Sequence, residues 1–159
     1  MFNNKKEKVY FITGGGTGGH IYPAVAIINE LKKEGVDNKN IFYLGNKKNL
    51  EYEIAQKYGF NFLSYSAKGM PRKFTFKFII WMFGLFVSCL KALQYVIKYQ
   101  PSVVFATGGY ICAPILFCAL ILRIPYVLHD SDIQPGIVTR FFSKSAKSVS
   151  VSFDEAKKY

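Results

Sequence analysis

The sequence of 159 residues is short of acidic side chains and cysteines, and each shortage limits what the protein can be. Asp and Glu number 10 against 21 Lys and Arg, so the formal net charge is +11. This balance favours an anionic partner such as phosphate, nucleic acid or acidic lipid. The three cysteines, Cys89, Cys112 and Cys118, lie in apolar runs without paired metal-binding spacing. We therefore expect buried thiols in a reducing compartment, with no metal site.

The sequence also lacks a recognisable secretory signal and a long apolar run. The polar segment Asn3 to Lys8 leads directly into a strand-like run, without the order of charge, apolar stretch and cleavage site of a signal peptide. A cytoplasmic location is expected from this. The most apolar stretch, Phe78 to Leu90, would measure about 20 Å as a helix, against roughly 30 Å for the hydrocarbon core of a bilayer. We therefore expect that this stretch does not cross a membrane.

Short β-rich apolar runs alternate with helix-length segments along the sequence, which is typical of a parallel α/β sheet. Strands are predicted at Val9 to Thr13, Ile41 to Leu44, Phe60 to Leu63, Val103 to Thr107, Tyr126 to His129 and Ser148 to Val151. Helices are predicted at Ile21 to Lys33, Leu50 to Tyr58, Phe74 to Tyr99 and Ile111 to Leu122. The expected fold is α/β: one Rossmann-like domain with a parallel sheet and helices on both of its faces.

Two glycine-rich loops follow predicted strands. The first runs from Gly14 to His20 and leads into the first helix, and the second is Gly108-Gly109-Tyr110. Glycines let a backbone approach a ligand closely, and the free amides at a helix start attract an anion. Because ligands gather at the carboxyl ends of parallel strands, we expect the two loops to face one pocket and hold a diphosphate. A turn that serves only packing is the alternative for each loop.

The first loop does not fit the common nucleotide motifs. The second strand ends in Leu44-Gly45-Asn46, without the acidic residue that holds the ribose of a nicotinamide cofactor. A Walker loop is excluded because His20 stands where Lys followed by Ser or Thr is required. At the mouth of a phosphate-type loop, His20 is a candidate general base.

A third polar segment, His129 to Gly136, follows the predicted fifth strand and should lie at the same sheet edge. His129 and Asp132 are candidate ligand contacts there. Each also has a plain structural interpretation, His129 as a histidine at a strand end and Asp132 as a turn or capping residue.

Three motifs carry a family resemblance: Gly14 to Ala24, Gly108 to Tyr110, and His129 to Asp132 with Pro135-Gly136. In order and spacing they resemble the N-terminal domain of the MurG family of bacterial glycosyltransferases, over essentially the whole chain. The third motif departs from the family's His-Glu-Gln-Asn form, since Asp132 accepts hydrogen bonds but cannot donate them as an amide does.

The resemblance implies an inverting enzyme of the GT-B type that transfers N-acetylglucosamine from UDP-GlcNAc to lipid I, giving lipid II, with no obligatory metal and no cofactor. Residues 1–159 would be its acceptor-side domain, with the UDP-GlcNAc domain absent from this chain, which alone would be inactive. His20 would be the general base and Asp132 the competing candidate. Substrate contacts would come from Gly15, Gly16, Thr17, Gly18, Gly19, Gly108, Gly109, Tyr110, His129 and Asp132.

Within the third predicted helix, the stretch from Phe78 to Leu90 is apolar almost all round and is flanked by Lys77 and Lys91. Upstream, Lys68, Arg72, Lys73 and Lys77 interleave with Phe74, Phe76 and Phe78, a mixture suited to an anionic membrane surface. The resemblance likewise implies peripheral binding at the cytoplasmic face of the membrane. The residues expected to face the membrane are Phe78, Trp81, Met82, Phe83 and Phe86. Burial against a second copy or another domain is the alternative.

Two other classes of function compete with the enzyme. One is a membrane-anchoring, acceptor-side subunit of a split glycosyltransferase that recruits a separate catalytic chain. The other, a nucleic-acid-binding module, is disfavoured because the aromatic residues concentrate in a membrane-type helix and no nucleic-acid motif is present.

Overall fold

The structure is a computed structural model that describes residues 7–71, 73 and 75–159. The polar amino-terminal segment up to residue 6 lies outside the described residues. So do Arg72 and Phe74, and with them the predicted start of the third helix and two positions of its basic and aromatic lead-in.

A parallel sheet of six strands forms the centre of the fold, in the order β3-β2-β1-β4-β5-β6. The strands are β1 Tyr10–Thr13, β2 Ile41–Gly45, β3 Asn61–Ser64, β4 Val103–Ala106, β5 Tyr126–Asp130 and β6 Ser148–Val151. All six predicted strands are confirmed to within one residue at each end. This is the order of the doubly wound nucleotide-binding folds, in which the winding reverses between β1 and β4.

Successive side chains of the central strands point to opposite faces of the sheet, so the core is divided between these two faces. Phe11 and Val104 point into one cluster of buried side chains, while Ile12 and Tyr43 point into the other. Residues of α3 and α4 cover the first cluster, and residues of α1 and α2 cover the second. The predicted fold class, with helices on both faces, is therefore confirmed.

Within the described ranges, five α-helices connect or follow the strands: α1 Gly18–Lys33, α2 Leu50–Lys57, α3 Phe76–Tyr99, α4 Ala113–Ile121 and α5 Ile137–Phe142. Gly35 and Gly59, with φ of 84° and 65°, follow the ends of α1 and α2, where a left-handed residue commonly stops a helix. The predicted Ile111 to Leu122 helix is divided, because its first turn is a 3₁₀ turn at Tyr110–Cys112. Helix α5 was not predicted, since six residues are too few to show a clear period.

Helix α1 begins at Gly18, three residues earlier than predicted, because its first turn consists of Gly18, Gly19 and His20. Glycine has a low helix propensity, and the sequence pattern therefore indicated a loop at these positions. As a result His20 is a residue of the first helical turn, held by the helix itself.

Helix α3 is packed in its second half and exposed in its first half. Ser88, Ala92 and Val96 are its buried residues, and this end packs against α4. By length and composition the 24-residue helix is able to cross a membrane. The whole helix measures about 36 Å, whereas the expected limit applied to Phe78 to Leu90 alone, so the expectation that this stretch does not cross stays a prediction.

The cysteine prediction is confirmed for Cys112 and Cys118, which are buried, while Cys89 is half-buried. All three thiols are free. Burial raises the pKa of Cys112 to about 12 and that of Cys118 to about 11, so both stay protonated at neutral pH.

Candidate active site at the switch point of the sheet

The two glycine loops meet where the winding of the sheet reverses. The strands β1 and β4 are neighbours, with Thr13 paired to Ala106, so the loops that follow them leave the same edge side by side. The amide of Gly15 lies 3.4 Å from the carbonyl of Gly108, which joins the loops directly. In folds of this topology, ligands bind in the crevice at this edge.

The amides of the first loop fall into two groups. The amide of Gly15 donates to Gly108, and that of Gly16 donates to Glu51 Oε2 at 3.5 Å. Three consecutive amides at the start of α1 have no acceptor within the described part of the chain: those of Thr17, Gly18 and Gly19. They are the donors that an anion would meet at the positive end of the helix.

The second loop needs its two glycines for two different reasons. Both have positive φ, 106° at Gly108 and 86° at Gly109. A Cβ on Gly108 would lie 2.5 Å from Cδ2 and 2.9 Å from Nε2 of His20. A Cβ on Gly109 would instead lie 2.4 Å from the carbonyl oxygen of Gly15. The loop therefore packs against the histidine at one glycine and against the first loop's backbone at the other.

His20 is held with one ring nitrogen toward the protein. Its Nδ1 lies 3.3 Å from the carbonyl oxygen of Gly15 and 3.3 Å from the hydroxyl of Thr17. Because a carbonyl can only accept, the bond to Gly15 places a proton on Nδ1. The other nitrogen, Nε2, is then the atom that can accept a proton from a ligand.

Asp132 is the group that faces this nitrogen. Its Oδ2 lies 3.7 Å from Nε2 of His20, and its side chain is 60% exposed against 15% for the histidine. The amide of Asp132 donates to the buried carboxylate of Asp130 at 3.0 Å, which fixes the turn that carries it. The structure thus brings the two competing candidates for the base together as one pair.

His129, in contrast, is not brought to the loops. It lies half-buried on β5, and its Nδ1 is 3.4 Å from the hydroxyl of Ser150 on β6. None of its described contacts is with either glycine loop. Its expected role in substrate binding stays a prediction.

Tyr110 connects the first loop to the segment after β3. Its ring lies 3.7 Å from the Cβ position of Gly16 and 3.7 Å from that of Gly69. The side chain is 38% exposed, so its ring forms part of the accessible wall beside the loop.

A layer of buried polar groups supports the loops from below. Thr107 Oγ1 donates to the carbonyl of His20 at 2.6 Å, and its amide donates to the carbonyl of Thr13 at 2.8 Å. The hydroxyl of Tyr43 donates to the carbonyl of Gly14 at 2.7 Å, and that of Tyr65 donates to Ile111. Burial raises the pKa of both tyrosines, so both hydroxyls remain protonated donors.

Glu51 is a buried carboxylate beneath the first loop. It is fully buried and accepts from the amides of Gly16 and Asn46 and from the side chain of Asn49. Charges in a protein interior require such partners. Glu51 thereby ties the first loop to the loop after β2, a role not found from the sequence. The sequence signal for its burial was its spacing from Ile54 and Ala55, which places all three residues on the buried face of α2.

Ser131 provides a second hydroxyl group at the helix start. Its Oγ is buried and, within the described part of the chain, has no hydrogen-bond partner. It lies 3.5 Å from the Cβ position of Gly19, beside the unpaired amides. Buried polar atoms normally have a partner, so this hydroxyl points to a bound group at this place. The sequence offered no signal for it beyond its position in the polar segment.

Solved structures with the same fold define the class of the protein. The structure of Acinetobacter baumannii MurG superposes with a TM-score of 0.77 and 23% identity over 93% of this chain and 42% of that one. A UDP-GlcNAc 2-epimerase from Methanocaldococcus jannaschii gives a TM-score of 0.66 and 15% identity, over 95% of this chain and 41% of that one. The chain has the fold of one domain of a GT-B glycosyltransferase. Residues 10–151 match the model of the glycosyltransferase family 28 N-terminal domain, and the chain belongs to this family.

Curated relatives agree with this family. A UDP-N-acetylglucosamine–N-acetylmuramyl-(pentapeptide) pyrophosphoryl-undecaprenol N-acetylglucosamine transferase of Natranaerobius thermophilus is 39% identical over 93% of this chain and 40% of its own length. The transferase of the same name from Clostridioides difficile is 38% identical over 92% of this chain and 36% of its own length. The chain thus spans about two fifths of the length of the relatives that it matches.

Proposed function

We propose that this chain is the acceptor-side half of an N-acetylglucosaminyltransferase of peptidoglycan synthesis. In the complete enzyme, a second domain would bind UDP-GlcNAc, and the sugar would be transferred to lipid I to give lipid II. Family membership and the names of the relatives support this substrate pair. The chain alone is expected to be inactive, because transfer requires both substrates in near-attack geometry.

One observation carries the proposal. Within the described part of the chain, three unpaired amides and the unpartnered hydroxyl of Ser131 surround the start of α1, in the same turn as a histidine whose Nε2 can accept a proton. The amides of Thr17, Gly18 and Gly19 would bind a phosphate oxygen of the donor or of the acceptor diphosphate. Since the amides of Gly15 and Gly16 are engaged inside the protein, these two glycines would contribute by close approach of their backbone.

The same geometry suggests the roles of His20 and Asp132. Nε2 of His20 would take the proton of the attacking hydroxyl group of the muramyl sugar. At the same time, the oxygen of that hydroxyl group would form a bond to the anomeric carbon of GlcNAc. The bond from that carbon to UDP breaks with inversion, and UDP leaves with the electron pair. As the proton arrives, the ring becomes an imidazolium, which the carboxylate of Asp132 at 3.7 Å would stabilise. Asp132 is thus proposed as the partner of the base.

Peripheral membrane binding is part of the proposal, at the cytoplasmic face. The exposed residues of α3 include Met82, Phe83 and Phe86 at 52, 68 and 59%, with Ile79 at 59%. Phe78 and Trp81 are half-buried, and their rings pack in a tilted arrangement with centroids 5.4 Å apart. Met82, Phe83 and Phe86 are therefore better placed for lipid contact than Phe78 and Trp81.

The buried carboxyl-terminal half of α3 also fits peripheral membrane binding better than a helix that spans the membrane. Ala92 and Val96 lie in the core, and a spanning helix would have to remove them from it. The exposed part from Phe76 to Val87 measures about 18 Å, which is too short for a hydrocarbon core of roughly 30 Å. The helix would therefore enter only one leaflet.

The test of the catalytic assignment uses His20→Ala and Asp132→Asn in a two-domain protein that joins this chain to a UDP-GlcNAc-binding domain. Loss of a general base typically lowers turnover by about 10²- to 10⁴-fold, so His20→Ala should lower kcat within that range and change acceptor affinity little. Asp132→Asn should have the smaller effect on kcat. Near-normal turnover in His20→Ala, with Asp132→Asn inactive, would reverse the two roles.

The second candidate is a non-catalytic, membrane-anchoring subunit that recruits a separate donor-binding chain. The exposed apolar half of α3 favours it. A donor-binding partner that stays active with His20→Ala in this chain would support it over the enzyme half.

A further inference from the structure

We propose that a cleft beside α3 binds the peptide of the acceptor as an extended, carboxylate-bearing chain. This rests on the proposed function, because the relatives' names give the acceptor a pentapeptide on the muramyl sugar. The cleft has a volume of about 850 Å³ and lies between α3 and the segments after β2 and β3. We call it the lysine cleft after the charged side chains that line it: Lys47, Lys48, Lys68, Lys77 and Lys91.

The charge of the lysine cleft is all of one sign. Among the described residues, no Asp or Glu lines it, and none of its lysines forms an ion pair with a carboxylate. Most of the remaining lining is apolar or small, including Trp81, Gly84 and Val87. Five lysines around a largely apolar wall suit a ligand with anionic groups joined by an uncharged backbone.

The spacing of the lysines suits a long ligand. Lys77 and Lys91 stand at the two ends of the wall that α3 contributes, 14 residues and therefore about 21 Å apart. A pentapeptide in extended form measures about 17 Å. A single phosphate group would fill only a small part of 850 Å³ and would reach few of these lysines.

The floor of the lysine cleft is fixed before any ligand binds. The carbonyls of Ser64, Ser66 and Lys68 accept hydrogen bonds from the side chains of Tyr95, Ser88 and Trp81 of α3, in that order. Alternate carbonyls of one segment are thus tied to side chains that lie two turns apart along one helix. Preformed sites avoid the cost of ordering on binding.

The lysine cleft adjoins the candidate active site, with the ring of Tyr110 between them. Gly69, in its lining, and Gly16, in the first loop, both lie against the ring of Tyr110. Asn46 also lines the cleft, and its amide shares the carboxylate of Glu51 with the amide of Gly16. A peptide attached to a sugar at His20 therefore has an adjoining channel to enter.

The lysine cleft and the proposed membrane surface share Phe83, which lines the cleft and is 68% exposed, but otherwise use different sides of α3. Trp81, Gly84 and Ser88 line the cleft, whereas Met82 and Phe86 are exposed and do not line it. The alternative ligand, a lipid phosphate at the membrane surface, is accordingly separable from the peptide by experiment.

The experiment measures the affinity of this chain for two soluble acceptor analogues by fluorescence anisotropy. Both carry the muramyl diphosphate on a short isoprenyl chain, one with the pentapeptide and one without it. In Lys68→Met with Lys91→Met, the affinity for the peptide-bearing analogue should fall about tenfold, as expected for two lost partly exposed charge contacts. Affinity for the peptide-free analogue should stay within about twofold.

Two controls complete the experiment. Lys57→Met with Lys144→Met removes the same charge from exposed positions outside the lysine cleft and should leave both affinities unchanged. Amidation of the peptide carboxylates should reproduce the effect of the cleft variant in the parent chain.

The outcomes separate this inference from the proposed function. An equal fall for both analogues would assign the lysines to the lipid diphosphate and overturn the peptide site. Unchanged affinity for both would leave the cleft without a role in the acceptor, which also overturns it. Failure of the parent chain to bind even the peptide-free analogue would refute the proposed function itself.

Discussion

The contact between the second glycine loop and His20 allows a stringent test of the active-site geometry. The change is Gly108→Ala, which places a methyl group 2.5 Å from Cδ2 of the imidazole at a φ of 106°. The left-handed backbone costs about 1 kcal/mol or more for alanine. In addition, either the ring leaves its bond to Gly15, at about 1 kcal/mol, or the loop is overpacked, at about 1–3 kcal/mol.

The backbone cost is independent of the histidine, whereas the cost of the steric contact depends on it. A double-mutant cycle with His20→Ala should therefore show a coupling of about 1–3 kcal/mol, because the truncated residue no longer meets the new methyl group. Gly109→Ala is the matched control, since its new methyl group meets the carbonyl of Gly15 at 2.4 Å. That contact remains in the His20→Ala background, so the coupling should be clearly smaller than in the Gly108 cycle, although the new methyl group also lies 3.4 Å from Nδ1 of His20.

The assay is urea denaturation of the four proteins of each cycle, followed by circular dichroism. A coupling of 1 kcal/mol corresponds to a difference of about 2–4 °C in Tm for a chain of this size, which gives a second readout. Additivity within about 0.5 kcal/mol in the Gly108 cycle would refute the proposed contact. Equal coupling in the Gly109 cycle would show that the loops respond as a unit and that the histidine has no special part.

Three further predictions concern other parts of the chain. Met82→Ser with Phe86→Ser should release the chain from anionic liposomes in a flotation assay. The control, Ile121→Ser with Leu122→Ser, changes an exposed apolar pair at the end of α4 and should leave binding intact. Equal flotation of both variants would assign α3 to a protein interface. Thr107→Val should lower the free energy of unfolding by about 1–3 kcal/mol, because the carbonyl of His20 loses its buried donor; a change below about 0.5 kcal/mol in urea denaturation would contradict this. Stability should also decrease as pH rises from about 9 toward 11, since Cys112 and Cys118, with pKa values raised to about 12 and about 11, ionise first in the unfolded chain; a flat profile in that window would contradict this assignment.

The local pattern of apolar residues in the sequence was sufficient to predict the strands of the sheet. Central parallel strands are buried on both faces, so runs such as Val103 to Thr107 are apolar throughout and easy to delimit. Parallel strands also place their carboxyl ends together, which correctly located the two glycine loops at one edge. The start of α1 was misplaced because glycine propensity argues against a helix that tertiary contacts at His20 stabilise.

The contacts that organise the candidate site could not be predicted, because they join distant positions. His20 and Asp132 are 112 positions apart, and their approach depends on the exact turn made by Asp130. Glu51 appears in the sequence as an ordinary acidic residue of a short helix, and only the fold shows that it is fully buried beneath the first loop. Trp81 was expected to face the membrane, whereas its indole donates to the carbonyl of Lys68 at 2.8 Å on the cleft side.

The continuity of α3 from its exposed half to its buried half has a consequence for how a membrane-bound acceptor would be encountered. One rigid rod would connect the lipid surface to the core, so the height of the glycine loops above the bilayer would be fixed by helix geometry. An enzyme held at constant height searches for its lipid-linked partner by diffusion in two dimensions. Its encounter rate then depends on the surface density of the lipid and hardly on the volume of the cell.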